Sequence, residues 1–230
     1  MIYESFYWRK ELLKLATKIE KRIPYKRSWT DSQNGNFEKE VMIGFYMIRK
    51  LKESFKLTNN IIATNISGFK YPSKGKLVTL MNNHRFMELY DFEQPKKDKF
   101  TLTFLINQIV HSYIFSPKFD VNRDEAIKSI EDKENVTWEE VDEAINLVKI
   151  ELTGILFCSD NKRNEFLYEL SIKDIIDLFR KTGNCNVTSS SRTFNEKKKD
   201  YDVIQRMNSS NTERHIEIDK NSEKKPKKNS

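Results

Sequence analysis

The residues with the clearest chemical potential lie together, in Asn107-Gln108-Ile109-Val110-His111-Ser112. On a helix, Asn107 and His111 stand one turn apart on a shared face, and Gln108 and Ser112 do the same beside them. These four hydrogen-bonding side chains interrupt an otherwise apolar run from Leu102 to Tyr113. Buried polar groups need partners, so the four form either a structural network or a site. One reading is a non-enzymatic binding or adaptor module held by a buried Asn107/Gln108/His111 network. The other is a catalytic site. Histidine is a natural general acid or base, so His111 and Asn107 become the catalytic candidates, with Gln108 and Ser112 touching the substrate.

A second polar cluster, Ser159-Asp160-Asn161-Lys162-Arg163-Asn164, has the composition of a hairpin tip. Asp160 and Arg163 can bind an anion or a polar ligand there. The same residue types are also favoured in solvated turns for backbone reasons.

Leu105-Ile106-Asn107-Gln108-Ile109-Val110-His111-Ser112 resembles the helix of HEPN domains that carries Arg-Asn, three further residues, His and a small residue. The long helix expected over 36–57, with Glu40 on its polar side, is similar to the antiparallel helices of that family. The resemblance implies a metal-independent endoribonuclease that needs no cofactor. It implies RNA as substrate, and a homodimer or a partner protein, in toxin–antitoxin or phage-defence biology. In such a site His111 assists attack by the RNA 2′-hydroxyl while an arginine stabilises the scissile phosphate. Here Ile106 stands at the arginine position. An aliphatic side chain cannot stabilise charge developing on a phosphorane. Either another cation substitutes, with Arg49 and Arg163 as candidates, or the chain is a non-catalytic relative.

The N-terminal third interleaves aromatic and basic residues: Trp8, Arg9, Lys10, Lys21, Arg22, Tyr25, Lys26, Arg27 and Trp29. Such a pattern binds phosphates and stacks on bases, or places aromatics in a core beneath a solvated basic face. The terminal lysines (Lys224, Lys225, Lys227, Lys228) can tether RNA by counterion release or simply aid solubility. The sequence carries no phosphate loop, no dinucleotide fingerprint, no HExxH and no GxSxG, which argues against nucleotide hydrolysis, Rossmann chemistry, zinc proteolysis and α/β-hydrolase chemistry.

These residues need elements to position them. Apolar spacings of three to four predict helices over 4–23, 36–57 and 101–113. Short β-like runs at 61–64 and 77–80 flank a Pro-Gly turn and predict a hairpin. Residues 91–99 read as a polar linker. Tyr113-Ile114-Phe115 leads into a strand. Residues 120–151 form an acidic insertion, in which Thr137 and Glu140 make a capping-box pattern for a helix over 138–150. A hairpin follows over 154–158 and 165–170. Ser171 then caps a helix that Gly183 stops. From 184 onward apolar residues become sparse, which predicts disorder.

The expected architecture is therefore α+β. About three helices form the core beside a small, mostly antiparallel sheet, with a helix at the end of a single domain over 1–183 and a disordered tail over 184–230. The 230 residues carry a formal net charge of +7, but residues 1–57 hold 13 basic and 7 acidic side chains while 120–151 hold 4 and 11. The total is a patchwork and gives little support to nucleic acid by itself. No long apolar run suggests a membrane span, and no leader pattern opens the chain, so a cytoplasmic location is expected. Two cysteines cannot build a disulfide framework or a zinc site.

Overall fold

The computed structural model describes residues 2–25, 29–121, 137 and 150–207. Helix α1 (Ser5–Glu20) begins where the Glu4 side chain accepts from the Phe6 amide, and buries Leu12, Leu15, Ala16 and Ile19. Helix α2 (Asp31–Glu53) starts earlier than the apolar stripe suggests. Thr30 and Gln33 close a reciprocal capping box that satisfies two otherwise orphaned amides. It buries Phe37, Val41, Phe45, Ile48 and Leu51.

The end of α2 is a Schellman closure: the Lys56 amide donates to Leu51 O (2.8 Å) and the Phe55 amide to Lys52 O (3.0 Å). Glycine is usual at the left-handed position of this motif, yet Phe55 occupies it with φ 56°. A non-glycine residue there costs about 1–2 kcal/mol.

One antiparallel sheet carries the helices. Its strands are β1 (Pro24–Tyr25), β2 (Asn65–Pro72), β3 (Lys96–Thr101), β4 (Ser112–Val121), β5 (Ile150–Ser159) and β6 (Phe166–Ser171). The order runs β1-β5-β6-β2-β3, with β4 also paired to β5. Strand β4 follows the whole of β5, so β6 and the short β1 share the opposite edge of β5. The α+β expectation thus holds.

Phe115, Phe157 and Tyr168 are neighbours across β4, β5 and β6 and face the helices. Phe37 of α2 packs on Phe115, and Phe104 of α5 (Leu102–Val110) packs on Tyr168. The intervening residues face the other way, where segment 73–95 covers them: Tyr90 meets Cys158 and Phe92 packs at a tilt against Tyr71. Helix α6 (Ile172–Gly183), capped by Ser171 as expected, packs on α1 and α2. Gly44 makes that approach possible, since a Cβ there would lie 2.1 Å from Phe179 Cζ.

Several expectations are corrected. Residues 61–64 are not a strand: Asn59–Ile62 form a short helix, α3, and the strand is Asn65–Pro72. Residues 77–80 form no ladder. Val78 is buried and its amide donates to Asn164 Oδ1, while the Thr79 amide donates to Asn82 Oδ1, so side chains replace strand partners. The expected linker at 91–99 contains β3, an edge strand whose lysines suit an exposed rim.

Residues 184–207, expected to be disordered, hold a hairpin of β7 (Ser189–Asn195) and β8 (Asp200–Arg206). The Gln205 amide anchors it to Asn59 Oδ1 at 2.7 Å, and the Gln205 side chain donates to Phe55 O. A second short helix, α4 (Phe86–Leu89), lies within segment 73–95. The helix expected over 138–150 falls outside the described residues, apart from Ile150, which opens β5. Among the described residues, no helix is long and apolar enough to cross a membrane.

Candidate functional site

Helix α5 is shorter than its apolar period predicts. Thr101 caps it, accepting from the Phe104 amide, and it ends at Val110. His111 is the C-cap residue, its amide donating to Asn107 O at 3.3 Å. The chain then enters β4, where a register shift between Ser112 and Ile114 leaves Tyr113 as a bulge. The imidazole is therefore held at a helix-to-strand junction and is exposed to solvent, as is Asn107.

A cation from another helix meets the imidazole. Arg49 Nη1 lies 3.1 Å from His111 Nε2. A guanidinium can only donate, so Nε2 accepts and the ring proton of the neutral imidazole sits on Nδ1. Arg49 is itself aimed by Glu53, whose Oε1 accepts from Arg49 Nε at 2.8 Å, while Lys50 Nζ reaches Glu53 Oε2 at 3.1 Å. The hydrogen bonds from Arg49 and then Lys50 hold the Glu53 carboxyl below the usual carboxylate range. Further along the same pair of helices, Lys52 Nζ donates to Thr103 Oγ1 at 2.7 Å. Tyr46, exposed one turn before Arg49 and Lys50, has Lys50 Nζ 5.6 Å from its ring centroid.

The other predicted residues divide sharply. Ile106 is 2% exposed, so its side chain points into the core. Gln108 is buried, and its Oε1 accepts from the Ser159 amide at 3.0 Å, tying α5 to the end of β5. That bond makes Gln108 a structural residue rather than a substrate contact. Ser112 is half-buried, and its Oγ is a buried atom without a hydrogen-bond partner.

Arg163 is committed elsewhere. It pairs with Asp160 at 2.9 Å, lies 4.2 Å over the Tyr113 ring, and its carbonyl accepts from Tyr90. Of the two cations considered for His111, Arg49 is the one that meets it. The fully buried Asn107/Gln108/His111 network is not formed: one member is buried and two are exposed.

Glu40, expected on a polar face, is 3% exposed and receives Lys18 at 2.7 Å and Arg22 at 2.8 Å. Burial pushes its carboxyl up, but hydrogen bonds from Arg22 and Lys18 outweigh that and the net direction is down. Arg22 also covers Trp29, which packs edge-on against Phe37 and Phe119. Arg22 and Trp29 of the basic, aromatic N-terminal third are thus structural. Glu53 and Lys50 went unnoticed as site residues, although their three- and four-residue spacings to each other and to Arg49 signal mutual contact on a helix.

The assembled group is an exposed imidazole with a guanidinium on its Nε2, an exposed amide one turn away, and a carboxylate that orients the guanidinium. Such a group can hold an anion beside a proton acceptor. No family model matches the chain, and the searches of curated proteins and of solved structures likewise return no match.

Proposed function

We propose that this protein is a HEPN-like, metal-independent endoribonuclease of the toxin–antitoxin or defence type, acting in the cytoplasm, with His111 and Arg49 as its catalytic pair. The observation that carries this reading is the 3.1 Å contact between Arg49 Nη1 and the solvent-open His111 Nε2. It restores, from α2, the positive charge that Ile106 removes from the motif.

In this reading an RNA phosphate draws the Arg49 guanidinium away from the imidazole. His111 Nε2 is then free to accept the proton of the adjacent 2′-hydroxyl. The 2′-oxygen attacks phosphorus as the bond to the 5′-oxygen breaks, and that oxygen takes a proton from water. The products are a 2′,3′-cyclic phosphate and a 5′-hydroxyl. Arg49 stabilises the charge that grows on the non-bridging oxygens, while its Nε remains bonded to Glu53. Asn107, whose side chain makes no hydrogen bond among the described residues, is placed to orient the ribose or the phosphate.

The test is cleavage of a mixed RNA substrate in EDTA by wild type, His111→Ala and Arg49→Ala, with end-group analysis. The expected result is cyclic-phosphate ends from wild type and a loss of about 100-fold or more in either variant. No cleavage by wild type, or equal cleavage by His111→Ala, overturns the reading.

A further inference from the structure

The Schellman closure that follows α2, Ser54 to Lys56, also forms one wall of a cavity of about 550 Å³. Its other walls are the start of α1 and the base of the β7–β8 hairpin. We propose that this cavity is a nucleotide-binding pocket that takes an aromatic base together with its phosphate. It does not rest on the reading of His111: the cavity lies on the α1 side of α2, whereas Arg49 meets His111 on the α5 side.

Charge points to an anion. Lys56 and Arg192 line the cavity, and no carboxylate does. Neither cation makes a hydrogen bond or ion pair among the described residues, unlike Lys18, Arg22, Arg49 and Lys118, which each meet a carboxylate. Two uncompensated cations lining one concave site concentrate anions there. Ser54, 7% exposed, accepts from the Ile2 amide at 3.0 Å, and its hydroxyl proton remains uncommitted among the described residues. Ser190 adds a second hydroxyl.

Phe55 points to an aromatic ligand. It holds the left-handed position of the Schellman closure, where glycine would fold with less strain, and the residue is 46% exposed at the cavity wall. A strained backbone that presents an exposed ring beside unpaired cations is what a stacking site requires. Tyr3 lines the same cavity. The volume falls in the range of small-ligand pockets, about 300–1,000 Å³, and suits one nucleotide. The nucleotide can be free or part of an RNA strand, since both present the same ring and phosphate.

The full chain carrying His111→Ala, which separates binding from cleavage, is titrated in EDTA with AMP, with inorganic phosphate and with an oligoadenylate hexanucleotide. AMP, the hexanucleotide or both are expected to bind, and Lys56→Gln or Arg192→Gln should weaken that binding about tenfold or more. Phe55→Gly should weaken it about tenfold through lost stacking, leave phosphate binding unchanged, and melt at or above the parent temperature. Saturation by AMP identifies a free-nucleotide pocket; binding of the hexanucleotide alone identifies a strand subsite. Absence of binding by both, equal binding by the Gln variants, or phosphate binding as tightly as AMP with no effect of Phe55→Gly overturns the proposal.

Discussion

Arg49 and His111 stand 62 positions apart in the chain and meet at 3.1 Å, Nη1 to Nε2, across the α2–α5 junction. The contact dictates a tautomer. In the free protein, long-range ¹H–¹⁵N spectra above neutral pH should show the His111 ring protonated at Nδ1. In Arg49→Ala the distribution should move toward Nε2–H, because the donor that occupied Nε2 is gone. An unchanged ring pattern would mean that the two side chains do not bond in solution.

His111 and Gln108 are three residues apart but should respond oppositely to truncation. His111 is exposed, so His111→Ala should change stability by no more than about 0.5 kcal/mol. Gln108→Ala leaves the buried Ser159 amide without its acceptor and should cost about 1–3 kcal/mol. Urea unfolding of the two variants measures both. A large loss for His111→Ala would favour the adaptor reading, in which His111 is a network residue.

Glu40 ties the basic ends of α1 and its following turn to α2. Its folded carboxyl is held below the ordinary carboxylate range, so its contribution to stability is complete above about pH 4–5 and is lost as pH falls through the lowered folded value. Glu40→Gln should cost about 1–3 kcal/mol at neutral pH, toward the lower end because Lys18 is largely in water. It should also flatten the acid limb of the stability profile, read from melting temperatures between pH 3 and 7. An acid limb as steep as that of wild type would assign the loss to other carboxylates.

Gly44→Ala tests the packing of α2 on α6. The added methyl would sit 2.1 Å from Phe179 Cζ and 2.2 Å from Cε2, so the ring or the helix must shift. Overpacking of this kind costs about 1–3 kcal/mol. Adding Phe179→Leu, which shortens the opposing side chain, should recover part of the loss in a double-mutant cycle.

Cys158 should be chemically silent in the native state. Burial pushes its thiol up to about 11, despite the Tyr90 contact, so little thiolate exists near neutrality. Iodoacetamide at pH 8 should leave it unlabelled until the protein is denatured, as followed by mass spectrometry. Rapid native labelling would indicate that segment 73–95 opens readily.

How much was legible in the sequence differs by element. The 154–170 hairpin and the Ser171-capped helix were readable because local rules decide them: apolar runs around a polar turn, a cap, a glycine stop. Strand β2 was hidden because Gly68 and Pro72 look like turn residues. In the sheet Gly68 is needed where a Cβ would lie 2.3 Å from Glu169 O, a neighbour about 100 positions away. The hairpin at 189–206 was hidden because Gln205, a residue that scores as polar loop, is buried and anchors it.

At the site, the period of α5 marked His111 and Asn107, but not that Gln108 would turn inward while Asn107 faced water. Arg49 could be named only as a candidate. Whether it or Arg163 meets His111 is decided by the pairing of β4 with β5 and the docking of α2, both long-range events that no local pattern encodes.

Strand β4 leaves the sheet where β5 enters it, with Val121 opposite Ile150 and Asp120 opposite Glu151. The two ends that flank residues 122–149 are therefore ladder partners, held one strand spacing apart. Strands that end opposite each other already meet the end-to-end condition of a tight antiparallel turn. The register that sets Val121 against Ile150 is thus fixed by the ladder itself, and the sheet that supports His111 is closed at this rim by its own backbone pairing.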